Sequence, residues 1–491
     1  MISFKMSSRE IKDDIYIPKY YDADLKADID SLRQRYIAFN LGSLIDSGAI
    51  EVCTGHEIGK MAYGTGDIPF VRTSDISNWE LKTVPKQGVS TDVYAAYAKK
   101  QDVKPGDILM VKDGSYLIGV TCMLADIDLP MLFQSHILKF RVTEKAEFSP
   151  EVFFLALNTP IVQRQIRSFQ FTADIIDTIG ARYREIVFFI PPGRETQEKY
   201  RSSIVSATNK RVQSRLLIRQ FPKLLEDSLA EGTTDPIDAF YSLEHEEALK
   251  ALVSVTSSHE FGETSFYRIS SKAIRDNIYI PKYYDPSIQD ELKALSETCE
   301  LVSISNLVAN GVLSLGTGDE IGKMAYGTGE IPFVRTSDFS NWELKHNVKQ
   351  CVSKEIYDQY KNAEDVQVGD ILLVRDGSYL IGSTCLLTQE DTRILYCGGL
   401  IKIRSNDQDY LDSNLLMGLL NAYIVKRQIR SKQFTRDVID TIGTRLLEVI
   451  LPIPRDNGLK KKISQEVMRI IQMRVEARDE IRRLSIEMVS L

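Results

Sequence analysis

The sequence predicts an α+β fold: two similar α/β domains, each followed by a long helix, with the two helices forming an antiparallel coiled-coil spine. Three observations predict it. The first is duplication. Residues 57–82 read EIGKMAYGTGDIPFVRTSDISNWELK, and residues 320–345 repeat them except at Asp67/Glu330 and Ile76/Phe339. The offset is 263 residues, and IYIPKYYD (from Ile15 and Ile278), DGSYLIG (Asp113 and Asp376) and IDTIG (Ile176 and Ile439) keep it. A period this long marks two whole domains rather than a solenoid, whose repeats run about 20–50 residues. The second observation is a series of short apolar runs between glycine turns, followed by helical segments. The third is an apolar stripe spaced by three and four near the end of each copy.

The elements follow in order. Residues 1–192 form the first domain, 193–228 its helix, 229–263 a link, 264–455 the second domain and 456–491 its helix. Within a copy, 108–111 and 137–142 read as strands, with Gly64, Gly66, Gly106, Gly114 and Gly119 punctuating turns. One helix is expected here, starting at Pro150, with Pro160 able to kink or split it. A strand at 186–190 stops at Pro191-Pro192. The stripe holds Ile204, Ala207, Arg211, Ser214, Ile218, Phe221 and Leu225 in copy one. Its counterparts are Val467, Ile470, Arg474, Ala477, Ile481, Leu484 and Met488. Such a stripe packs either on the other helix or on the domain of its own copy. The mutual packing is the reading we adopt, because the remaining helix surface is charged.

Composition narrows the class. The chain of 491 residues is 43% hydrophobic and 26% charged, ordinary for a soluble globular protein. No uninterrupted apolar stretch approaches about 18 residues, so no membrane span is expected. The first residues, MISFKMSSREIKDD, lack the apolar core of a signal peptide. Six cysteines include no CxxC pair, and only Cys122 and Cys385 match between copies, so reduced thiols are expected. The net charge is −7, unlike the usual free-standing nucleic-acid binder. The link carries much of it: Glu231, Asp235, Asp238, Glu244, Glu246, Glu247, Glu260 and Glu263 stand against Lys250. Without the link the two copies are nearly neutral.

The ordered motifs resemble those of the specificity (S) subunit of type I restriction–modification systems. GDIPFVRTSD (66–75) and GEIPFVRTSD (329–338) are similar to the family's IPF/IPW segment. GDILMVKDGSYLIG from Gly106 and GDILLVRDGSYLIG from Gly369 are similar to its middle stretch. FFLALNTPIVQRQIRSFQFTADIIDTIG with VFFIPP, and NAYIVKRQIRSKQFTRDVIDTIG with VILPIP, are similar to its closing helix, turn and strand. IYIPKYYD resembles the element that precedes these domains. The family's Glu-Gln pair after the closing proline is absent: copy one has Glu195-Thr196-Gln197 and copy two Asn457-Gly458-Leu459. The resemblance spans nearly the whole chain, twice. It implies two target-recognition domains reading double-stranded DNA, and a spine holding two adenine-N6 methyltransferase subunits. It also implies restriction (translocase/nuclease) subunits as further partners, in the cytoplasm of a bacterium or archaeon and without a membrane. S-adenosylmethionine would be bound by the methyltransferase, and ATP and Mg by the nuclease subunit.

On that resemblance, specific residues become candidate DNA contacts. Arg72 and Arg335 suit guanine O6/N7 or a phosphate. Thr73, Ser74, Thr336 and Ser337 suit phosphate or base edges. Asp75 and Asp338 suit cytosine N4, or they fix the neighbouring arginine within a structural turn. Lys112 and Arg375 are natural phosphate partners. Ser115, Tyr116, Ser378 and Tyr379 follow on a turn, or close a hairpin. Gln170, Thr172 and Asp174, with Gln433, Thr435 and Asp437, suit adenine or act as caps. Arg164, Arg167, Arg427 and Arg430 make one side of the preceding helix basic. Ile204, Ile218, Phe221, Leu225, Val467, Ile470, Ile481 and Leu484 are the candidate partner-binding positions of the helices. The copies differ at Gln134-Ser135-His136 against Cys397-Gly398-Gly399, at Phe169/Lys432 and at Ala173/Arg436, by drift or by a difference in the sites read.

Catalysis finds no support in the residues. GTGDEIGKM (316–324) has Thr317 where a phosphate loop needs its first glycine and Met324 where it needs Ser or Thr. Asp285, Glu291 and Lys293 have loose nuclease spacing, lost in copy one as Asp22, Ala27 and Ile29. There is no Asn/Asp-Pro-Pro-Tyr/Phe element and no arguable Ser/His/Asp set. A non-catalytic subunit with a near-palindromic target is therefore expected. Three alternatives stay open: the recognition subunit of a type II system with a fused methyltransferase–nuclease, an enzyme with its own nuclease or methyl-transfer site, and a tandem scaffold that binds no DNA.

Overall fold

The computed structural model describes residues 11–12, 15–173, 176–242, 267–276, 278–377, 379–436 and 439–490. Asp174, Asp437 and Ser378, the side chains of Ala173 and Arg436, 243–263 of the link and 264–266 of the second domain lie outside them. The fold is mixed α+β with long helices. It divides into two compact units: Met1–Val212 with Glu476–Leu491, and Gln213–Val475.

Unit 1 opens with α1 (Ala23–Leu32), β1 (Ile37–Asn40), α2 (Leu41–Asp46), β2 (Ile50–Thr54) and β3 (Ile68–Val71). Next come β4 (Ile76–Ser77), β5 (Glu80–Leu81), β6 (Gly88–Val89), α3 (Thr91–Gln101), β7 (Ile108–Val111) and β8 (Thr121–Met123). Then follow β9 (Leu132–Phe133), β10 (Ile137–Val142), α4 (Pro150–Leu157), α5 (Pro160–Phe169), β11 (Phe171–Ala173), β12 (Ile176–Thr178), β13 (Val187–Ile190) and α6 (Arg194–Glu231). Among the described residues, the single helix expected within the copy is corrected to five. Each missed one has a local cap: Asp22 caps α1 by accepting the Asp24 and Leu25 N–H groups, Asn40 caps α2 through Ser43, and Ser90 caps α3 through Val93. Pro160 does split its helix, standing at the first turn of α5, where its missing N–H costs nothing.

An antiparallel sheet in the order β2-β10-β7-β8 forms the centre. A smaller sheet runs β6-β3-β9, with β3 and β9 parallel. β1 pairs with β13, and β11 with β12. Phe140, Phe153 and Phe188 are fully buried between the central sheet and α4. Each such ring contributes about 1.5–3 kcal/mol. Arg141 ties this layer together, reaching both oxygens of buried Asp107 at 2.7 and 2.8 Å. The aspartate of GDIL is therefore a framework residue.

β4 and β5 are joined by Asn78-Trp79, both at positive φ (53° and 63°), the type I′ two-residue loop. Tryptophan is unusual there. Its indole N–H is held by Asn158 Oδ1 at 3.0 Å and its ring is buried. Glu80, next in sequence, approaches Arg211 of α6 at 3.9 Å, both 3% exposed. Ala477, Ile481, Leu484 and Met488 share one core with Ile204 and Ala207 of α6. Lys210 pairs with Glu476 at 2.6 Å.

Unit 2 repeats the element order. Its central sheet joins Leu313–Thr317, Leu400–Ser405, Ile371–Val374 and Thr384–Leu386. Asn341-Trp342 repeats the positive-φ turn, and Trp342 meets Phe221 edge-on at 5.8 Å. Arg474 of the C-terminal helix Asn457–Glu487 donates to Glu343 at 3.0 Å and to Ser214 at 3.1 Å. α6 runs to Glu231, three residues beyond the expected 228, and the start of the link carries α7 (Asp235–Ser242). α7 is fixed on the C-terminal helix by Asp238 to Lys462 at 2.8 Å.

All fourteen stripe residues are buried. The eight proposed as partner-binding positions are 0–8% exposed, so they hold this chain's own fold and offer a partner no surface. The physical reason is the stripe itself: its apolar width is covered by the packing within each unit. No helix among the described residues is long and apolar enough to cross a membrane. All six cysteines are free thiols, and the described residues hold no group of metal-ligating side chains.

Candidate nucleic-acid interface

Four loops of unit 1 meet beside the sheet ends. β3 delivers Arg72–Asp75, β9 delivers Gln134–His136, β7 delivers Lys112–Tyr116, and the β11–β12 hairpin supplies Gln170, Thr172 and Asp177. Backbone bonds stitch them. Gln134 N donates to Val71 O at 3.0 Å, Lys112 N to His136 O at 3.0 Å, Gly114 N to Asp177 O at 2.8 Å and Ile179 N to Lys112 O at 3.1 Å. Unit 2 repeats all four with Cys397–Val334 (2.9 Å), Arg375–Gly399 (2.9 Å), Gly377–Asp440 (2.9 Å) and Ile442–Arg375 (3.1 Å).

Two carboxylates organise each cluster. Asp177 accepts from Thr172 at 2.7 Å and from Gln170 at 2.6 Å, and these donors, Thr172 first, hold it below the usual carboxylate range. Gln170 also donates to Ser115 O at 3.2 Å. Asp440 is lowered in the same way by Thr435 and then Gln433, at 2.6 and 2.7 Å. Asp113 accepts from Thr178 on one oxygen and faces His136 Nδ1 at 2.9 Å on the other. Asp376 accepts from Thr441, and its other oxygen takes Arg375 Nε at 3.0 Å and a terminal guanidinium nitrogen at 2.7 Å.

The candidates separate on this geometry. Asp75 and Asp338 are fully buried, each accepting the backbone N–H of its arginine at 3.0 and 2.8 Å. Burial raises both carboxyl pKa values. Of the two roles open to them, this arrangement supplies the turn. They are corrected from base contacts to framework, because a carboxylate turned inward to cap a backbone presents no atom to a groove. Arg72, Thr73 and Ser74 are half-buried, whereas Arg335 and Ser337 are exposed and Thr336 half-buried. Lys112 and Arg375 are partly exposed, at 21% and 29% of their side chains. Ser115 is exposed, Tyr116 half-buried, and Tyr379 45% exposed. Gln170, Thr172, Gln433 and Thr435 are engaged with the hairpin aspartates, so in this state they shape the loop rather than await a base.

The basic helix divides too. Arg164 is paired with Asp28, and Arg427 with Glu291 and with Ser287 at 2.6 Å, so these two fasten α5 and its counterpart to the first helix of each domain. Arg167 donates to Tyr116 O at 3.2 Å, and Arg430 is exposed. Phe169 is buried against Tyr20, while its counterpart Lys432 lies over Tyr283 at 4.6 Å and bonds Glu448 at 3.3 Å. That difference between copies is a packing exchange. Sequence reasoning missed Asp113, Asp177, Arg182 and their counterparts. Arg182 stacks on Phe171 at 4.3 Å and Arg445 on Phe434 at 3.9 Å, steadying the hairpins. The signal available was IDT itself, repeated without an assigned role. Ile176 and Ile439 on the hairpins are 44% and 56% exposed, and Met61 and Met324 are each 92% exposed.

No family model matches the chain, and no curated protein matches it. Solved structures do. The type I restriction–modification S subunit from M. genitalium is 12% identical, covering 91% of this chain and 92% of its own, with a TM-score of 0.33. The HsdS subunit from Thermoanaerobacter tengcongensis is 15% identical over 92% and 95%, with a TM-score of 0.27. A type I R-M system structure concerned with complex assembly and conformational transition is 14% identical over 92% and 95%, with a TM-score of 0.26.

Proposed function

We propose that this chain is the DNA sequence-specificity subunit of a type I restriction–modification complex. The observation that carries the reading is convergence. Loops separated by up to about a hundred residues of sequence, and singled out as motifs at one offset, form the same donor-rich surface in both units. Residues 1–192 and 264–455 are then the target-recognition domains. Positioned arginine and lysine side chains beside hydroxyls and turn backbones suit base edges and phosphates together.

The helices 194–231 and 457–487 form the antiparallel spine of the assembly. Their apolar stripe is internal, so two methyltransferase subunits dock on the polar outer faces, and restriction subunits join that core. The chain itself does no chemistry. Base extrusion and adenine-N6 methyl transfer belong to the partner that binds S-adenosylmethionine, and ATP- and Mg-dependent translocation and cleavage belong to the restriction subunits. The complex acts in the cytoplasm of a bacterium or archaeon.

Near-identical readers predict near-identical half-sites. Duplex DNA is approximately two-fold symmetric, so a two-fold protein reads inverted half-sites about one helical turn apart. The target is therefore bipartite and near-palindromic. Methylome sequencing of cells expressing this chain with its methyltransferase tests it. The expected result is one interrupted motif with closely matching inverted halves. An asymmetric bipartite motif overturns the symmetry, and absence of any motif overturns the function.

A further inference from the structure

The clusters differ at the turn after β9 and at the basic residue bonded to it, and the following inference rests on the proposed function. In unit 1 the turn after β9 is Gln134-Ser135-His136. His136 Nδ1 is held by Asp113 at 2.9 Å, its Nε2 lies 3.8 Å from Glu57, and Ser135 donates to Glu57. Lys112 Nζ is 3.8 Å from the same Asp113 oxygen. In unit 2 the turn is Cys397-Gly398-Gly399. A Cβ at 399 would lie 2.8 Å from Thr336 Cγ2, and one at 398 would lie 2.6 Å from Glu320 Oε1. The turn thus fits closely without side chains, and Asp376 is taken by Arg375 through two nitrogens.

The exchange is coupled. A lysine and a histidine share the organising aspartate in one unit; an arginine and a bare turn replace them in the other. The chemistry presented differs accordingly. Arg375 is a guanidinium whose plane is fixed by two bonds to one carboxylate oxygen. A fixed planar fork matches the paired acceptors O6 and N7 of guanine. Unit 1 offers a point charge and one imidazole nitrogen. The ammonium's three donors rotate freely and no plane commits two of them to O6 and N7 together, so it can settle on N7 alone, which adenine and guanine share in the major groove.

We propose that Arg375 makes unit 2 specific for guanine at one position of its half-site, whereas Lys112 with His136 lets unit 1 accept either purine at the equivalent position. The near-palindrome then carries one degenerate base pair, on one side only.

The test uses the assembled methyltransferase complex with full-length chain, read by methylome sequencing and by competition binding with duplexes differing at the single position. The wild-type motif is expected to show guanine in one half and either purine in the other. Arg375→Lys is expected to relax the unit 2 position, with guanine-over-adenine preference falling on the order of 10- to 100-fold. The combined change Lys112→Arg, Gln134→Cys, Ser135→Gly, His136→Gly is expected to make both halves demand guanine. A strictly palindromic wild-type motif overturns the inference. So does a degenerate position that neither variant moves while assembly and thermal unfolding are unchanged. If the combined variant does not fold, Arg375→Lys decides alone. A complex with no sequence preference overturns the proposed function instead, which separates the two failures.

Discussion

Glu364→Gln is expected to stabilise the protein at neutral pH. In unit 1 the corresponding residue is Gln101, whose amide donates to Phe133 O at 2.8 Å and accepts Phe133 N at 2.9 Å. Glu364 occupies the same buried position at 2% exposure, accepting from Tyr396 N at 3.0 Å and Asp319 N at 3.3 Å. Burial first, and then the charge of Asp319, push its carboxyl from 4.5 up to about 8, against those N–H bonds and the nearby Lys402. The folded state therefore keeps a proton that the unfolded chain releases between pH 4.5 and 8. This stability is fully present below pH 4.5 and is lost as pH rises through 8. At pH 7 the cost is about 3 kcal/mol, from roughly 2.5 pH units at 1.36 kcal/mol each. An amide has no such cost, so the unit 2 transition of E364Q should rise by about 6–12 °C at pH 7. Lys426 complicates the alkaline side. It replaces Gln163, and burial followed by Arg430 lowers it from 10.5 to about 7, so its contribution grows from pH 7 to 10.5 with the opposite sign. The informative quantity is thus the difference between wild type and E364Q in thermal unfolding of the full chain from pH 4.5 to 8. It should widen steadily, and Gln101→Glu should bring a matching slope to unit 1. A variant no more stable at pH 7 than at pH 4.5, relative to wild type, refutes the reasoning.

Two further outcomes are expected. Arg72→Ala and Arg335→Ala should each weaken DNA binding by the assembled complex about 10-fold or more. Thermal unfolding should move by no more than about 1 kcal/mol, because Asp75 and Asp338 hold the arginine backbone rather than its side chain. Unfolding without a change in intrinsic binding makes the arginines structural. Ile481→Asp with Leu484→Asp should abolish the cooperative unfolding of unit 1, since the two side chains are 0% and 3% exposed in the core shared with Ile204 and Ala207. Each replacement loses a large apolar side chain and buries a carboxyl, together costing about 5 kcal/mol or more. Native-like melting with methyltransferase binding lost would return those positions to a partner surface.

Local signals in the chain were readable and long-range ones were not. Strands 108–111 and 137–142 have the expected bounds because apolar runs between turn residues declare themselves. The Pro160 break and the helical stripe were equally plain, since both follow from backbone chemistry and spacing. α1 and α3 escaped because their apolar faces are weak and only their caps, Asp22 and Ser90, announce them. The site was harder for a different reason. The bond from Thr178 to Asp113 spans 65 residues and that from Gln170 to Ser115 spans 55, so no window of sequence contains both partners.

Duplication supplies part of what a window cannot, because the two copies are two solutions to one set of contacts. Where both keep a residue, the structure mostly shows framework: Asp75 and Asp338 buried in their turns, Trp79 and Trp342 at positive φ, Glu80 and Glu343 beside helix arginines. Much of the identity within 57–82 and 320–345 is therefore explained without any target. Where the copies differ, the differences come in coupled sets. Gln101 with His56 becomes Glu364 with Asp319, which alters a buried titration. Lys112 with His136 becomes Arg375 with Gly399, which alters what faces outward. On the proposed function, only the second kind bears on a ligand. The residues most informative about specificity are then the few that changed together beside a retained aspartate, and a half-site assay on that pair discriminates between recognition and drift where identity alone does not.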